Sequence, residues 1–156
     1  MKLSVKRASL DELEPLMEWR MRVLAEVFSD SEQPDWEMIR KNNEDYYREA
    51  LSDGAHTACF AVNEDDGEII GCGGICYQKE MPSPDNLTGT NGYLINIYTL
   101  PEYRGHGAGR RIVEFLIDDA KKQGTEKIYL ESSKDAKHLY EEIGFLDMQD
   151  YMKLEG

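Results

Sequence analysis

Residues 101–111 read PEYRGHGAGRR. Gly105, Gly107 and Gly109 recur at every second position, and Arg104, Arg110 and Arg111 flank them. The chain around this segment is acidic: 156 residues carry 31 Asp and Glu against 18 Lys and Arg, a net charge of -13. Just upstream, GYLINIYTL (92–100) is rich in β-branched and aromatic residues and predicts a strand. Just downstream, Ile112, Val113, Leu116, Ile117 and Ala120 fall on one face of a helix. The segment therefore sits at a strand-to-helix joint. Backbone N–H groups are free there, and the helix dipole favours an anion. Glycines let the backbone approach a ligand closely, and arginines suit phosphate. A local basic cluster in an acidic chain makes sense if a polyphosphate docks on it.

Elements can be laid out on either side of that joint. LSVKRA (3–8) alternates as a strand. Ser9 with Glu12 forms a capping-box pattern opening a helix to about residue 28. Pro34 is placed as the first residue of a second helix running to about Leu51. HTACFAVN (56–63) and EIIGCGGICYQ (68–78) predict a hairpin across EDDG. The helix after the glycine segment stops at Gly124, KIYLESS (127–133) is a strand, and a short helix ends at Gly144. FLDMQDYMKL (145–154) predicts a closing strand or strand pair. The order β-α-α-β-β-β-α-β-α-β predicts an α+β fold: a mixed, mostly antiparallel central sheet flanked by helices. The length suits one domain over residues 1–156.

Composition excludes several functions. The charge argues against general nucleic-acid or anionic-membrane binding. MKLSVKRASLDELEPL has no long apolar core, so no signal peptide is expected, nor any membrane span. Cys59, Cys72 and Cys76 are expected to be buried free thiols in a reducing cytoplasm. His56, His106 and His138 are scattered, and no metal is expected.

Among phosphate loops, GxxxxGK[ST] is absent. A GxGxxG fingerprint fails because Gly105-x-Gly107-x-x leads to Arg110, and too little chain follows for a dinucleotide fold. The stretch Arg104-Gly105-His106-Gly107-Ala108-Gly109 resembles the Q/R-x-x-G-x-G/A motif of the GNAT superfamily of acyl-CoA-dependent N-acetyltransferases. LYEEIGF (139–145) resembles that family's closing L-Y-x-x-x-G-F motif, and the element order is similar along nearly the whole chain.

The resemblance implies acetyl-CoA as co-substrate and transfer to a primary amine of a small molecule or peptide by direct attack. It implies that Ile97, Tyr98 and Thr99 meet the pantetheine arm. The amides of Gly105, His106, Gly107, Ala108, Gly109 and Arg110 would hold the pyrophosphate, with Arg104 beside it. Tyr140 matches the tyrosine near the CoA sulfur that serves as general acid, although its place on an apolar helix face also suits core filling. Glu131 ends the YLE strand, where a base can stand or a solvated charge can lie. Asn96, in mid-strand, needs a polar partner: a water, the acceptor or a neighbouring loop. The family often has an Asn in the loop that here reads ESSKDAK, so Ser132 or Ser133 is left to cap the helix or to reach the CoA.

For the acceptor, the first two helices and their connection form the frame. Glu26, Asp30, Glu32, Asp35 and Glu37 follow one another there without a Lys or Arg. They make either a solvated face or a surface that steers a cationic amine. Glu26, Trp36 and Asn96 are the acceptor-site candidates, and a homodimer is common in the family. A non-catalytic acyl-CoA sensor of the same fold is the alternative.

Overall fold

The computed structural model describes residues 1–29 and 33–156. Five strands, β1 (Leu3–Ala8), β2 (His56–Asn63), β3 (Glu68–Lys79), β4 (Thr90–Thr99) and β5 (Lys127–Leu130), form one sheet in chain order. Pairs β1–β2, β2–β3 and β3–β4 are antiparallel, and β5 runs parallel to β4. Four helices accompany them: α1 (Leu13–Val27), α2 (Trp36–Asp53), α3 (Ala108–Lys122) and α4 (Lys137–Ile143). The architecture is the mixed, mostly antiparallel α+β one expected. With one parallel pair, it is not the parallel sheet of a dinucleotide-binding fold.

Two apolar layers cover the sheet. Leu16, Met17, Trp19 and Val23 of α1 and Tyr47 of α2 pack on Ala58, Phe60, Val62 and Cys72. On the opposite face, Ile112, Val113, Leu116 and Ala120 of α3 pack on Cys59, Ala61, Ile70, Ile75 and Leu94, with Tyr140 of α4 alongside. The one crossover, β4 to β5, is α3 itself. It lies close to the sheet because β3 carries glycines beneath it. A Cβ on Gly73 would stand 2.4 Å from Ile112 Cγ2.

Polar ties fix the layers. Ser9 opens a 3-10 turn, Leu10–Glu12, with its N–H donating to Glu12 Oε1 at 3.2 Å, and α1 follows directly. The buried Asp119 carboxylate of α3 accepts from Arg7 of β1, from Thr57 Oγ1 of β2 (2.8 Å) and from the Tyr77 hydroxyl of β3 (2.6 Å).

Three sequence expectations change. The second helix begins at Trp36, not at Pro34, because Asp35 is its N-cap and its side chain accepts from Met38 N at 3.0 Å. β5 ends at Leu130, so Glu131 follows the strand and does not lie in it. Residues 145–156 form no strand. Gly144 (φ 122) ends α4, Phe145 N–H bonds back to Tyr140 O, and Asp150 at φ 70 breaks the extended run. An alternating apolar pattern needs a backbone partner to become a strand. Leu146, Met152 and Leu154 are left exposed.

Candidate active site

The sheet opens between β4 and its edge strand β5. β4 and β5 pair only from Asn91 with Lys127 to Leu94 with Leu130, after which β4 continues to Thr99 paired with β3 alone. A bulge starts at the same point. Cys72 pairs with Tyr98 and Gly74 with Ile95, leaving Gly73 opposite both Asn96 and Ile97. Asn96 takes φ 63, in the left-handed region that few L-residues other than Asn and Asp adopt. Leu94 and Ile97, three apart, both join the α3 layer, so the strand's alternation breaks here. Ile97, Tyr98 and Thr99 thus lie on a stretch of β4 that has no strand partner on its β5 side, and this gap between the two strands forms a cleft.

The glycine segment lies at the mouth of that cleft. Gly105 and Gly107 have φ 84 and 85, in space where an added Cβ would meet nothing, so they are required by conformation and not by crowding. Gly107 is the N-cap of α3 and supplies no side-chain cap. The first turn, Ala108 to Arg111, has no acidic residue and carries two arginines, the reverse of what the helix dipole favours. His106 is exposed, Ala108 is buried and Gly109 half-buried against Leu139 of α4.

The arginines have neighbours of their own. Arg104 Nε donates to Thr99 O at 2.9 Å, its guanidinium lies over the Tyr98 ring, and it approaches Glu26 at 3.8 Å. Arg110 reaches Glu114 and Glu142 at 3.7 and 3.9 Å, while Arg111 donates to Leu3 O.

On α4, Tyr140 is 8 % exposed, stacked edge-on against Phe145. Burial raises its hydroxyl pKa. It borders a groove of about 880 Å³ between α3, β5 and residues 145–148. Glu131 is exposed. Ser132 Oγ bonds to Ser133 O, and Ser133 Oγ accepts from Ala136 N at 3.3 Å, which ties the loop before α4.

The α1 side of the bulge is polar. Arg20 Nη1 donates to Asn96 Oδ1 at 3.1 Å and Arg20 Nε to Asn43 Oδ1 at 3.0 Å. Tyr46, on α2, meets His56 Nδ1 (2.8 Å) and donates to Cys76 Sγ (3.0 Å). Burial, helped by Arg20, lowers the His56 pKa to about 4, so the ring is neutral at pH 7. Cys59 and Cys72 are buried, the latter with its thiol pushed up to about 12 by burial, but Cys76 is only half-buried. Trp36 is half-buried at the start of α2 and takes no part in these bonds, and Trp19 and Tyr47 belong to the core. In the acidic run, Asp35 caps α2 and Glu26 faces Arg104. Asp30 and Glu32 lie outside the described residues.

Arg20 and Asn43 escaped the sequence-based search. A signal existed: Arg20 stands four residues after Leu16 and four before Leu24, inside the apolar stripe of α1. Tyr93 and Tyr129, ring centroids 5.0 Å apart across β4 and β5, were also missed. Their partnership depends on a parallel register that no local pattern encodes.

Known proteins resemble this chain at both levels. A sequence model described as the acetyltransferase (GNAT) family matches residues 13–145. A glucosamine 6-phosphate N-acetyltransferase of Arabidopsis thaliana is 29% identical over 89 residues, 57% of this chain and 58% of that one. The thialysine N-epsilon-acetyltransferase of Mus musculus is 38% identical over 72 residues, 44% and 41% of the two chains. The chain thus spans about half the length of the curated relatives it matches. A predicted acetyltransferase from Clostridium acetobutylicum, solved with acetyl-CoA, superposes with a TM-score of 0.85 at 25% identity, covering 99% of this chain and 96% of that one. A GCN5-related N-acetyltransferase from Ralstonia eutropha JMP134 shares the fold with a TM-score of 0.81 at 17% identity, covering 99% of both.

Proposed function

The chain belongs to the acetyltransferase (GNAT) family, and from that premise we propose that it transfers an acetyl group from acetyl-CoA to a primary amine in the cleft between β4 and β5. The observation that carries this is the uncapped, glycine-entered, arginine-bearing N-terminus of α3 at the mouth of that cleft. The residues fit the ligand. Free amides from Gly105 to Arg110 suit a pyrophosphate, and Arg104 stands where it adds a charged contact. The exposed polar edge of Ile97, Tyr98 and Thr99 suits an amide-bearing arm that replaces the missing strand.

Acetyl-CoA supplies an activated acyl carbon, with a thiol as leaving group. The bulge gives this chain backbone N–H groups turned out of the ladder, at the point where negative charge grows on the acyl oxygen. Tyr140 holds a proton on its hydroxyl and passes it to the departing sulfur. The attacking amine must be neutral, and Glu131, exposed beside the cleft, takes its proton directly or through water. Residues 1–156 act as one catalytic unit, and the free thiols fit the reducing cytoplasm.

Calorimetric titration with acetyl-CoA, with NAD and ATP as controls, tests the binding half. Thiol release with a panel of amines tests the transfer half. Absence of acetyl-CoA binding overturns the proposal. Binding without thiol release for any amine would support the acyl-CoA sensor instead.

A further inference from the structure

We propose that Arg20 is the specificity residue of the acceptor site and that the amine acceptor carries an anionic group, a carboxylate or a phosphate, which Arg20 binds. The inference rests on the transferase proposal above and concerns the α1 side of the same cleft.

Arg20 is half-buried on the inward face of α1, an expensive place for a charge unless something meets it. Among the described residues, no carboxylate lies within ion-pairing distance of it, whereas Arg22 two residues on has Glu18 at 3.5 Å. Its neighbours are neutral. Asn43 and Asn96 give it amide oxygens, and His56, Tyr46, Tyr47, Cys72 and Cys76, which feel its charge, are all uncharged at pH 7. The two amides fix its direction. Asn43 Nδ2 donates to Ile39 O at 2.8 Å, so Oδ1 must face Arg20. Asn96 is held at φ 63 in the bulge. The guanidinium is therefore oriented by Nε and Nη1, which leaves Nη2, without a protein hydrogen-bond partner among the described residues, to donate to an incoming carboxylate or phosphate.

Its location decides what that anion belongs to. Asn96 is the bulge residue, so Arg20 stands beside the point where the acyl carbon meets its nucleophile. It approaches from α1, while the pyrophosphate loop lies at the start of α3. An anion there is part of the acceptor. Two of the acidic residues expected to draw in a cation have other work: Asp35 caps α2 and Glu26 faces Arg104.

The test uses matched amines in the thiol-release assay: β-alanine against β-alaninamide, and glucosamine 6-phosphate against glucosamine. Wild-type protein should show at least about tenfold higher kcat/KM for the anion-bearing member of one pair or both, since one charge-assisted contact is worth that much. The pair that responds tells carboxylate from phosphate. In Arg20→Gln the preference should shrink to about threefold or less, and Arg20→Lys should restore part of it. Equal rates within both pairs, or no turnover of either anion-bearing amine, overturn the inference. So does an Arg20→Gln variant that slows both members equally, because that is the mark of a residue that only braces the bulge. Acetyl-CoA titration of the wild type separates the two proposals: no binding removes both, and binding without anion preference removes only this one.

Discussion

The Tyr77 hydroxyl donates to Asp119 Oδ2 at 2.6 Å, joining the middle of the sheet to the helix that carries the glycine segment. Thr57, Arg7 and Gln123 donate to the same carboxylate. Burial pushes the Asp119 pKa up, but the bonds from Tyr77, Arg7 and Thr57 outweigh it and hold the carboxyl below its ordinary value. Asp119→Ala strands buried hydroxyls and should cost about 2–4 kcal/mol in urea unfolding. The pH dependence follows from the lowered pKa. The contribution is complete above the unfolded value near 3.9 and is lost as pH falls through the folded one. The gap in Tm between wild type and Asp119→Asn should therefore narrow below about pH 4. A gap that is constant from pH 7 to 2.5 would show that the charge of Asp119 is not what matters.

Arg104 is set by Thr99 O, with its outer nitrogens toward an exposed Glu26. Arg104→Ala should weaken acetyl-CoA binding by more than about tenfold, the loss of one charge-assisted phosphate contact. Glu26→Gln removes a competitor for the same nitrogens and should leave affinity equal or higher. Calorimetry on both variants decides, and an Arg104→Ala affinity within about twofold of wild type would assign Arg104 to β4 alone.

Tyr140→Phe should lower kcat by roughly ten- to a hundredfold, with little change in acetyl-CoA affinity. Because burial raises the Tyr140 pKa above its usual value, the hydroxyl stays protonated well into the alkaline range. The kcat profile of the wild type should then stay level to about pH 9. A wild-type kcat in the variant would make Tyr140 a packing residue only.

Gly73 faces both bulge residues and lies under Ile112. Gly73→Ala forces the α3 layer away from the sheet and should destabilise the protein by about 1–3 kcal/mol. It should also loosen the bulge, so acetyl-CoA affinity should fall together with the urea midpoint. An unchanged midpoint would mean that α3 yields freely at Ile112.

Most of the scaffold could be read from local pattern. The β2–β3 hairpin, the α3 stripe and the glycine stops at Gly124 and Gly144 stand where periodicity and turn chemistry put them, because each is decided within a few residues. The glycine segment was legible for the same reason. What escaped depends on partners far along the chain. The final strand failed because strand status is granted by a neighbour's backbone, which residues 145–154 lack. The bulge at Asn96 could not be read, since it exists only relative to Gly73. Arg20 was visible as an interruption of α1, but its meaning came from Asn43 and Asn96, 23 and 76 residues away.

The sheet's chain-order arrangement has a consequence for assembly. Each pairing from β1 to β4 is antiparallel between consecutive strands, and only β5 requires a crossover. The β2–β4 meander can close strand by strand, whereas the parallel joint must wait for α3 to lie down on Gly71 and Gly73. The proposed acetyl-CoA site lies at that last joint. A chain stalled before it would hold four strands and the α1–α2 pair, yet lack the joint on which the proposed acetyl-CoA site depends.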